Sequence, residues 1–415
     1  MKRRELYFSI LEPTFDMPYI KFLVGPRCCG KTRIFLDIIE HLKTNRNVAD
    51  DHIIYINFEY VENTKLRDID SLESYIRTRI KDDNVHYIFF DEIYLVDNYE
   101  RLLNKLWLSM GNLSVFLACS NSRSLKENLN SLSILQFAFF YITPFGYKEA
   151  CEALNAHPHD KNMLFNYLKY GGLPERFKFR RSSEVKKYLY SALDSIFLRD
   201  VVMRLGTKNV ADMFTILKYL IKHFGTDFSA EALKKEVLAA EPNLSISDFT
   251  MALDALEKSL LITAIGGYSV QANVPLLGLP RYYLSDLSLT FLFGFDFRNN
   301  MDQFLKNLVW IELKRRGYDV YQGYNGSKCF DFVAKRGNKI FYMQVVEYLE
   351  DGSTINKEIE KFANIEHLNK KYLLSLDREN YSRKGVIHRN IIDFLMDDIS
   401  DIEDKGRPYG WVAIE

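Results

Sequence analysis

The stretch Phe22-Leu23-Val24-Gly25-Pro26-Arg27-Cys28-Cys29-Gly30-Lys31-Thr32 closes an apolar run with the spacing Gly-x-x-x-x-Gly-Lys-Thr. The amphipathic stretch Arg33-Ile34-Phe35-Leu36-Asp37-Ile38-Ile39 follows at once. A strand, a glycine-flanked loop and a helix in this order make a phosphate-binding turn. Gly25 and Gly30 keep Cβ atoms out of the way of backbone N–H groups. Lys31 offers a point charge to β- and γ-phosphates, Thr32 Oγ offers a ligand to Mg²⁺, and the helix contributes its positive end. The expected nucleotide-contacting set is Gly25, Pro26, Arg27, Cys28, Cys29, Gly30, Lys31, Thr32 and Arg33, with ATP and Mg as ligands.

Working outward, residues 53–58 form a short β-rich run and residues 72–76 read as helix, an alternation that predicts βαβ units on a parallel sheet. The run His86-Tyr87-Ile88-Phe89-Phe90-Asp91-Glu92 places two carboxylates at the C-terminal end of a buried strand, where an α/β sheet presents ligand-binding residues. Asp91 is the expected Mg²⁺ partner and Glu92 the expected base that orients a water toward the γ-phosphate. A fourth strand over 114–121 ends in small polar residues. Asn121 is the first choice for a sensor of the attacking water or γ-phosphate, and Ser120 the second. A fifth strand is expected over 139–142, and five such strands suggest the additional-strand, catalytic-glutamate branch of P-loop ATPases.

The runs Phe89-Phe90-Asp91-Glu92-Ile93, Leu117-Ala118-Cys119-Ser120-Asn121-Ser122, Thr143-Pro144-Phe145-Gly146-Tyr147-Lys148-Glu149 and Tyr170-Gly171-Gly172-Leu173-Pro174 carry a resemblance over nearly the whole chain. Together they resemble the AAA+-type ATPases of bacteria and archaea that carry a C-terminal restriction-endonuclease-like domain of unassigned function. The resemblance implies an α/β P-loop NTPase core, a parallel sheet flanked by helices, over residues 1–145. It further implies a helical lid over 146–206, a winged-helix domain over 207–290 and an α/β restriction-endonuclease-like domain over 291–415. That family has a Gly-Arg pair before its fifth strand, whereas Ile134-Leu135-Gln136 stands here. Arg27, Arg123 or a neighbouring subunit stay open as sources of an arginine trigger.

Past the core, Leu164, Tyr167 and Leu168 are spaced for one buried helix face, and Gly171-Gly172-Leu173-Pro174 interrupts the helices. Arg176, Lys178, Arg180, Arg181, Lys186 and Lys187 form the densest basic cluster, a solvated face or a nucleic-acid contact. Helices are expected over 213–224, over 230–240 after an N-capping Ser229, and over 248–261 after Ser247. A ribbon over 262–265 and 282–284 follows, with Gly266-Gly267 read as its tight turn. The third helix carries Asp248, Asp254 and Glu257 against Lys258, which favours packing against protein over reading bases.

The last segment runs from a helix over 304–313 through a hairpin containing Asp331 to a strand over 340–345. Metal-dependent cleavage in the implied nuclease fold needs a helix acid, a hairpin Asp and a Glu-x-Lys pair on the next strand. Only the Asp is met: Gln344-Val345-Val346 occupies the pair, and the resemblance places the helix acid at Lys306. Glu347 and Glu358 are the nearby carboxylates that could substitute. The expectation is a nuclease-like fold without nuclease activity.

Composition bounds the rest. The chain has 415 residues, enough for two to four domains, and 47% hydrophobic against 27% charged residues, which excludes a disordered chain. Lys plus Arg and Asp plus Glu each number 55, so no global field draws nucleic acid or membrane. Five cysteines without a metal-ligand spacing fit a reducing compartment. With neither a signal peptide nor a long apolar window, the expectation is a soluble cytoplasmic protein with no membrane contact. An ATPase is the leading reading. A nucleotide-dependent DNA- or protein-binding adaptor and an ATP-gated nuclease stay open, as do a DNA or protein client and a homo-oligomer.

Overall fold

The computed structural model describes residues 3–17, 19–109, 111–120, 137–197, 210–226, 228, 230–365 and 369–397. Two compact units are present. The first holds the described residues up to Ile142 with Lys258–Leu260, and the second those of Thr143–Glu257 and Leu261–Glu403.

In the first unit, β1 (Ile20–Val24), β2 (Ile53–Asn57), β3 (His86–Asp91), β4 (Leu113–Cys119) and β5 (Phe137–Tyr141) form one sheet in the order β2-β3-β4-β1-β5. All neighbours are parallel. The strands β1, β3 and β4 are buried along their whole length, as continuous apolar runs covered on both faces must be. The two-residue side-chain period divides them between two layers. Phe22, Ile88, Phe90 and Leu117 pack with Leu72, Ile76, Leu102 and Leu106 from the helices Ile69–Arg79 and Tyr99–Ser109. Leu23, Phe89, Phe116 and Ala118 pack with Ile34, Phe35, Ile38 and Leu42 from the helix Lys31–Asn45. Because β4 lies between β1 and β3, the loop after β1 and the carboxylates after β3 flank the end of the inserted strand.

In the second unit the helices Tyr147–Leu154, Lys161–Tyr170 and Ser182–Ile196 are followed by Val210–His223, Ala230–Ala240 and Ile246–Lys258. Ser245, rather than Ser247, caps the last of these, its Oγ accepting from Asp248 N at 3.0 Å. Two serines at adjacent alternate positions make that boundary ambiguous from sequence. Ser229 lies outside the described residues.

A seven-stranded sheet ends the unit, in the order β12-β11-β10-β9-β8-β6-β7. Its strands are β6 (Ile262–Ser269), β7 (Val274–Leu284), β8 (Asp319–Asn325), β9 (Lys328–Arg336), β10 (Lys339–Val345), β11 (Lys370–Ser375) and β12 (Val386–Asn390). The β6-β7 ribbon joins through parallel pairing of Gly267, Tyr268 and Ser269 with Gln322, Gly323 and Tyr324. Gly266-Gly267 is therefore not the ribbon's turn. It lies inside β6, where the register slips between Ile265 and Gly267. A Cβ on Gly267 would meet the Tyr324 ring at 2.8 Å, so glycine here admits a neighbouring strand's side chain.

Candidate functional site: the loop after β1 and the carboxylates after β3

The loop after β1 closes against the sheet through Gly25 N, which donates to Cys119 O at 3.2 Å. A Cβ on Gly25 would stand 2.1 Å from Ile142 O, so only glycine allows this approach. The chain then turns through Cys28 at φ 65° and Gly30 at φ 102° before entering the helix Lys31–Asn45. Gly30 has no side chain with which to cap that helix, so its first-turn N–H groups are left for an anion. Cys29 is fully buried and its carbonyl accepts from Arg4 Nη1 at 3.0 Å, which anchors the loop from the residue that precedes the helix Glu5–Leu11.

Lys31 is buried at the centre of this turn. Its Nζ donates to Gly25 O at 3.0 Å and Pro26 O at 3.2 Å, and lies 3.6 Å from Glu92 Oε1. Burial works against the ammonium, but the Glu92 and Asp91 charges outweigh it and hold the lysine above its ordinary pKa. Thr32 Oγ1 donates to Asp91 Oδ2 at 2.6 Å. The same oxygen accepts from Asn57 Nδ2 at 3.1 Å and Tyr55 OH at 3.3 Å. Asp91 Oδ1 is buried with no hydrogen-bond partner among the described residues. Burial raises the Asp91 carboxyl pKa against the opposing Thr32 hydrogen bond and Lys31 charge. A carboxylate with one oxygen tied to a threonine hydroxyl and the other unpartnered fits a hard divalent cation shared with that threonine.

Glu92 follows the strand at φ 56°, a left-handed conformation that residues other than glycine seldom adopt. Its Oε2 accepts from Ser120 N and Ser120 Oγ, both at 3.1 Å, so the residue just after β4 orients the glutamate. Arg27 is turned to Glu59 Oε1 at 2.7 Å and also donates to Tyr94 OH at 3.2 Å. Arg33 is exposed and pairs with Asp37 at 2.7 Å along its own helix. Asn121 and Arg123 lie outside the described residues.

Thus Gly25, Pro26, Cys28, Gly30, Lys31, Thr32, Asp91 and Glu92 converge, while Arg27 and Arg33 are engaged by carboxylates. Sequence reasoning missed Asn57 and Tyr55. The available signal was their place at the C-terminal end of β2, whose register pairs Asn57 with Asp91.

Elsewhere the basic cluster loses a member. Arg176 is buried, donating to Gly171 O at 2.6 Å and Asn166 Oδ1 at 3.1 Å. It braces the Gly171-Gly172 turn, whose Gly172 N donates to Asp286 Oδ2 at 2.7 Å. Arg180, Arg181, Lys186 and Lys187 are exposed. In the C-terminal sheet Asp331 is buried. Lys306 Nζ lies 2.9 Å and Arg281 Nη1 3.5 Å from its Oδ1, and Val345 N donates to its Oδ2 at 2.9 Å. Gln344 Oε1 accepts from Asp331 N at 3.2 Å.

A family model described as an AAA domain matches residues 18–151. A second, described as a domain of unknown function (DUF8612), matches residues 161–296. An uncharacterized protein of Haemophilus influenzae is 26% identical over 381 residues, 90% of this chain and 93% of its own length. An uncharacterized protein of Methanocaldococcus jannaschii is 27% identical over 309 residues, 72% of this chain and 67% of its own. Among solved structures, the Walker-type ATPase of Pyrococcus abyssi aligns with a TM-score of 0.48 at 15% identity, covering 70% of this chain and 95% of that one. Residues 18–151 thus carry an AAA-type domain, and their parallel sheet with flanking helices is that of a P-loop NTPase core. Among the described residues, no helix is long and apolar enough to cross a membrane.

Proposed function

We propose that the chain binds ATP with Mg²⁺ at the loop after β1 and hydrolyses it to ADP and phosphate. The observation that carries this reading is the 2.6 Å bond between Thr32 and Asp91 beside a buried Lys31–Glu92 pair. The backbone N–H groups of residues 28–33 and the Lys31 ammonium would bind the phosphates, and Thr32 and Asp91 would hold the metal. When bound, Mg²⁺ would supply neutralisation of the charge on the phosphate oxygens. Glu92 accepts a hydrogen bond from the attacking water through the oxygen not committed to Ser120. As water adds at the γ-phosphorus its proton passes to Glu92, the bond to the β-phosphate oxygen breaks, and ADP departs with that electron pair. Asn57 and Tyr55 position Asp91.

In the same reading the nucleotide state is relayed to a winged-helix domain, made of the three helices and ribbon of residues 210–284, and to an inactive restriction-endonuclease-like domain behind it. What supports the second assignment is the order helix Met301–Arg315, three antiparallel strands, helix Gly352–Glu360 and parallel strand, with Asp331 on the middle strand. A DNA or protein client would be engaged there, in a cytoplasmic setting and with homo-oligomerisation as one way to supply an arginine. An adaptor with little turnover is the second reading, favoured by the engagement of Arg27 with Glu59. Phosphate release with and without DNA separates the readings: hydrolysis supports the first, and tight nucleotide binding without turnover supports the adaptor.

A further inference from the structure

The far end of the five-stranded sheet holds a second cluster. Because β2 and β3 pair in parallel with Ile53 opposite Tyr87, the residues just before them, His52 and His86, are neighbours across the pair. Their rings meet edge to face, 4.7 Å between centroids. Asp82 lies in the turn leading into β3, where its Oδ1 accepts from Asn84 N at 2.9 Å. That bond leaves Oδ2 toward His52 Nε2, 3.0 Å away. Asn112 anchors the turn, its Nδ2 donating to Asp82 O at 3.0 Å and Asn84 O at 2.9 Å.

The telling group is His86. Its Nδ1 lies 2.8 Å from Asn84 O, and a carbonyl only accepts, so Nδ1 carries the proton and Nε2 the lone pair. The side chain is 0% exposed, and Nε2 has no hydrogen-bond partner among the described residues. A buried acceptor without a donor is rare in folded proteins. An ordinary surface ion pair between His52 and Asp82 does not account for it. An imidazole fixed by Nδ1–H to a backbone carbonyl, its Nε2 buried without a partner and its ring against a second imidazole that faces a carboxylate, has the hydrogen bonding that metal-binding histidines adopt.

We propose that His52, Asp82 and His86 bind a divalent transition-metal ion of the zinc class. One ligand atom from each lies within 4.8 Å of the others. Tetrahedral coordination at about 2.1 Å sets ligand separations of about 3.4 Å, so closure from separations of up to 4.8 Å needs a shift of at most about 1.4 Å. Rotation of the exposed Asp82 side chain contributes to that shift. Two imidazoles and one carboxylate select a borderline ion over Mg²⁺, and leave a fourth position for water. The ion ties edge strand β2 to β3 at the N-terminal end of the sheet. It is separated from Asp91 and Glu92 by the length of a six-residue strand, about 17–20 Å.

Titration of the metal-free full chain with Zn²⁺, and separately with Co²⁺, tests the proposal. The expected result is saturable binding of one ion per chain, a visible Co²⁺ absorption of tetrahedral type and a raised unfolding midpoint. Affinity should fall by at least about tenfold in Asp82→Ala and in His52→Ala. Asp82 is exposed, so Asp82→Ala should keep its apo unfolding midpoint while losing the metal-induced rise. No saturable Zn²⁺ binding, or binding undiminished in both Asp82→Ala and His52→Ala, overturns the proposal.

Discussion

Lys306 places its ammonium 2.9 Å from the Asp331 carboxylate. Arg281 adds a second positive charge at 3.5 Å, and Val345 N occupies the other Asp331 oxygen. The aspartate is thus neutralised and hydrogen-bonded from within the protein. Linear and circular DNA should stay intact with the full chain in Mg²⁺ and in Mn²⁺, with or without ATP. Cleavage that disappears in Asp331→Ala would revive the ATP-gated nuclease. Lys306→Met leaves a buried carboxylate short of a partner and should lower stability by about 1–3 kcal/mol, read from denaturant midpoints.

DNA binding, where it occurs, should be weak, salt-sensitive and indifferent to sequence, because the densest run of exposed basic residues, Arg180, Arg181, Lys186 and Lys187, is short. Reversing Arg180 and Arg181 to Glu should weaken it at low salt without shifting the unfolding midpoint. Arg176→Ala should do the opposite, since that guanidinium is buried against Gly171 O and Asn166. A base-specific footprint that depends on residues 247–260 would contradict this assignment.

Lys21 gives the first unit a pH dependence. Its ammonium is buried on β1, donating to Met17 O at 2.7 Å and Ser114 Oγ at 3.1 Å. Burial depresses its pKa to about 7, despite the nearby Asp16 charge. Between pH 7 and the unfolded lysine's value of about 10.4, the unfolded chain binds the extra proton, so this group makes stability rise with pH. The slope is at most about 1.4 kcal/mol per pH unit. Denaturant midpoints measured from pH 6 to 9.5 should show an upward contribution that Lys21→Met removes. An unchanged profile in that variant would refute the assignment.

The sequence and the structure agree where information is local. The mostly apolar runs at 20–24, 86–91 and 113–119 are strands buried along their whole length, as central strands of a parallel sheet covered on both faces are. The loop from Gly25 to Thr32 was legible because its chemistry fixes both residue type and spacing. What escaped depends on distant partners. Asn57 and Tyr55 reach Asp91 across a strand pair, and Asp286 meets Gly172 from 114 residues away. The pairing of Gly267 with Gln322 turned an apparent hairpin turn into a bulge inside a larger sheet. Arg176 looked like part of a charged surface, because a basic run carries no mark of which member is buried. His52 and His86 are 34 residues apart, and only strand register makes them neighbours.

The most direct test of the account is phosphate release from Mg-ATP by the full chain and its Glu92→Gln variant, with nucleotide affinity measured on both. Glu92 lies against Lys31 and Ser120 at the end of β3, so the amide should preserve the loop and the Thr32–Asp91 pair while failing to orient water. The account predicts that Glu92→Gln binds ATP about as tightly as the wild-type chain, with turnover reduced by about 10²–10⁴-fold. Lys31→Ala should bind no ATP. Wild-type turnover in Glu92→Gln, or wild-type ATP affinity in Lys31→Ala, would contradict it.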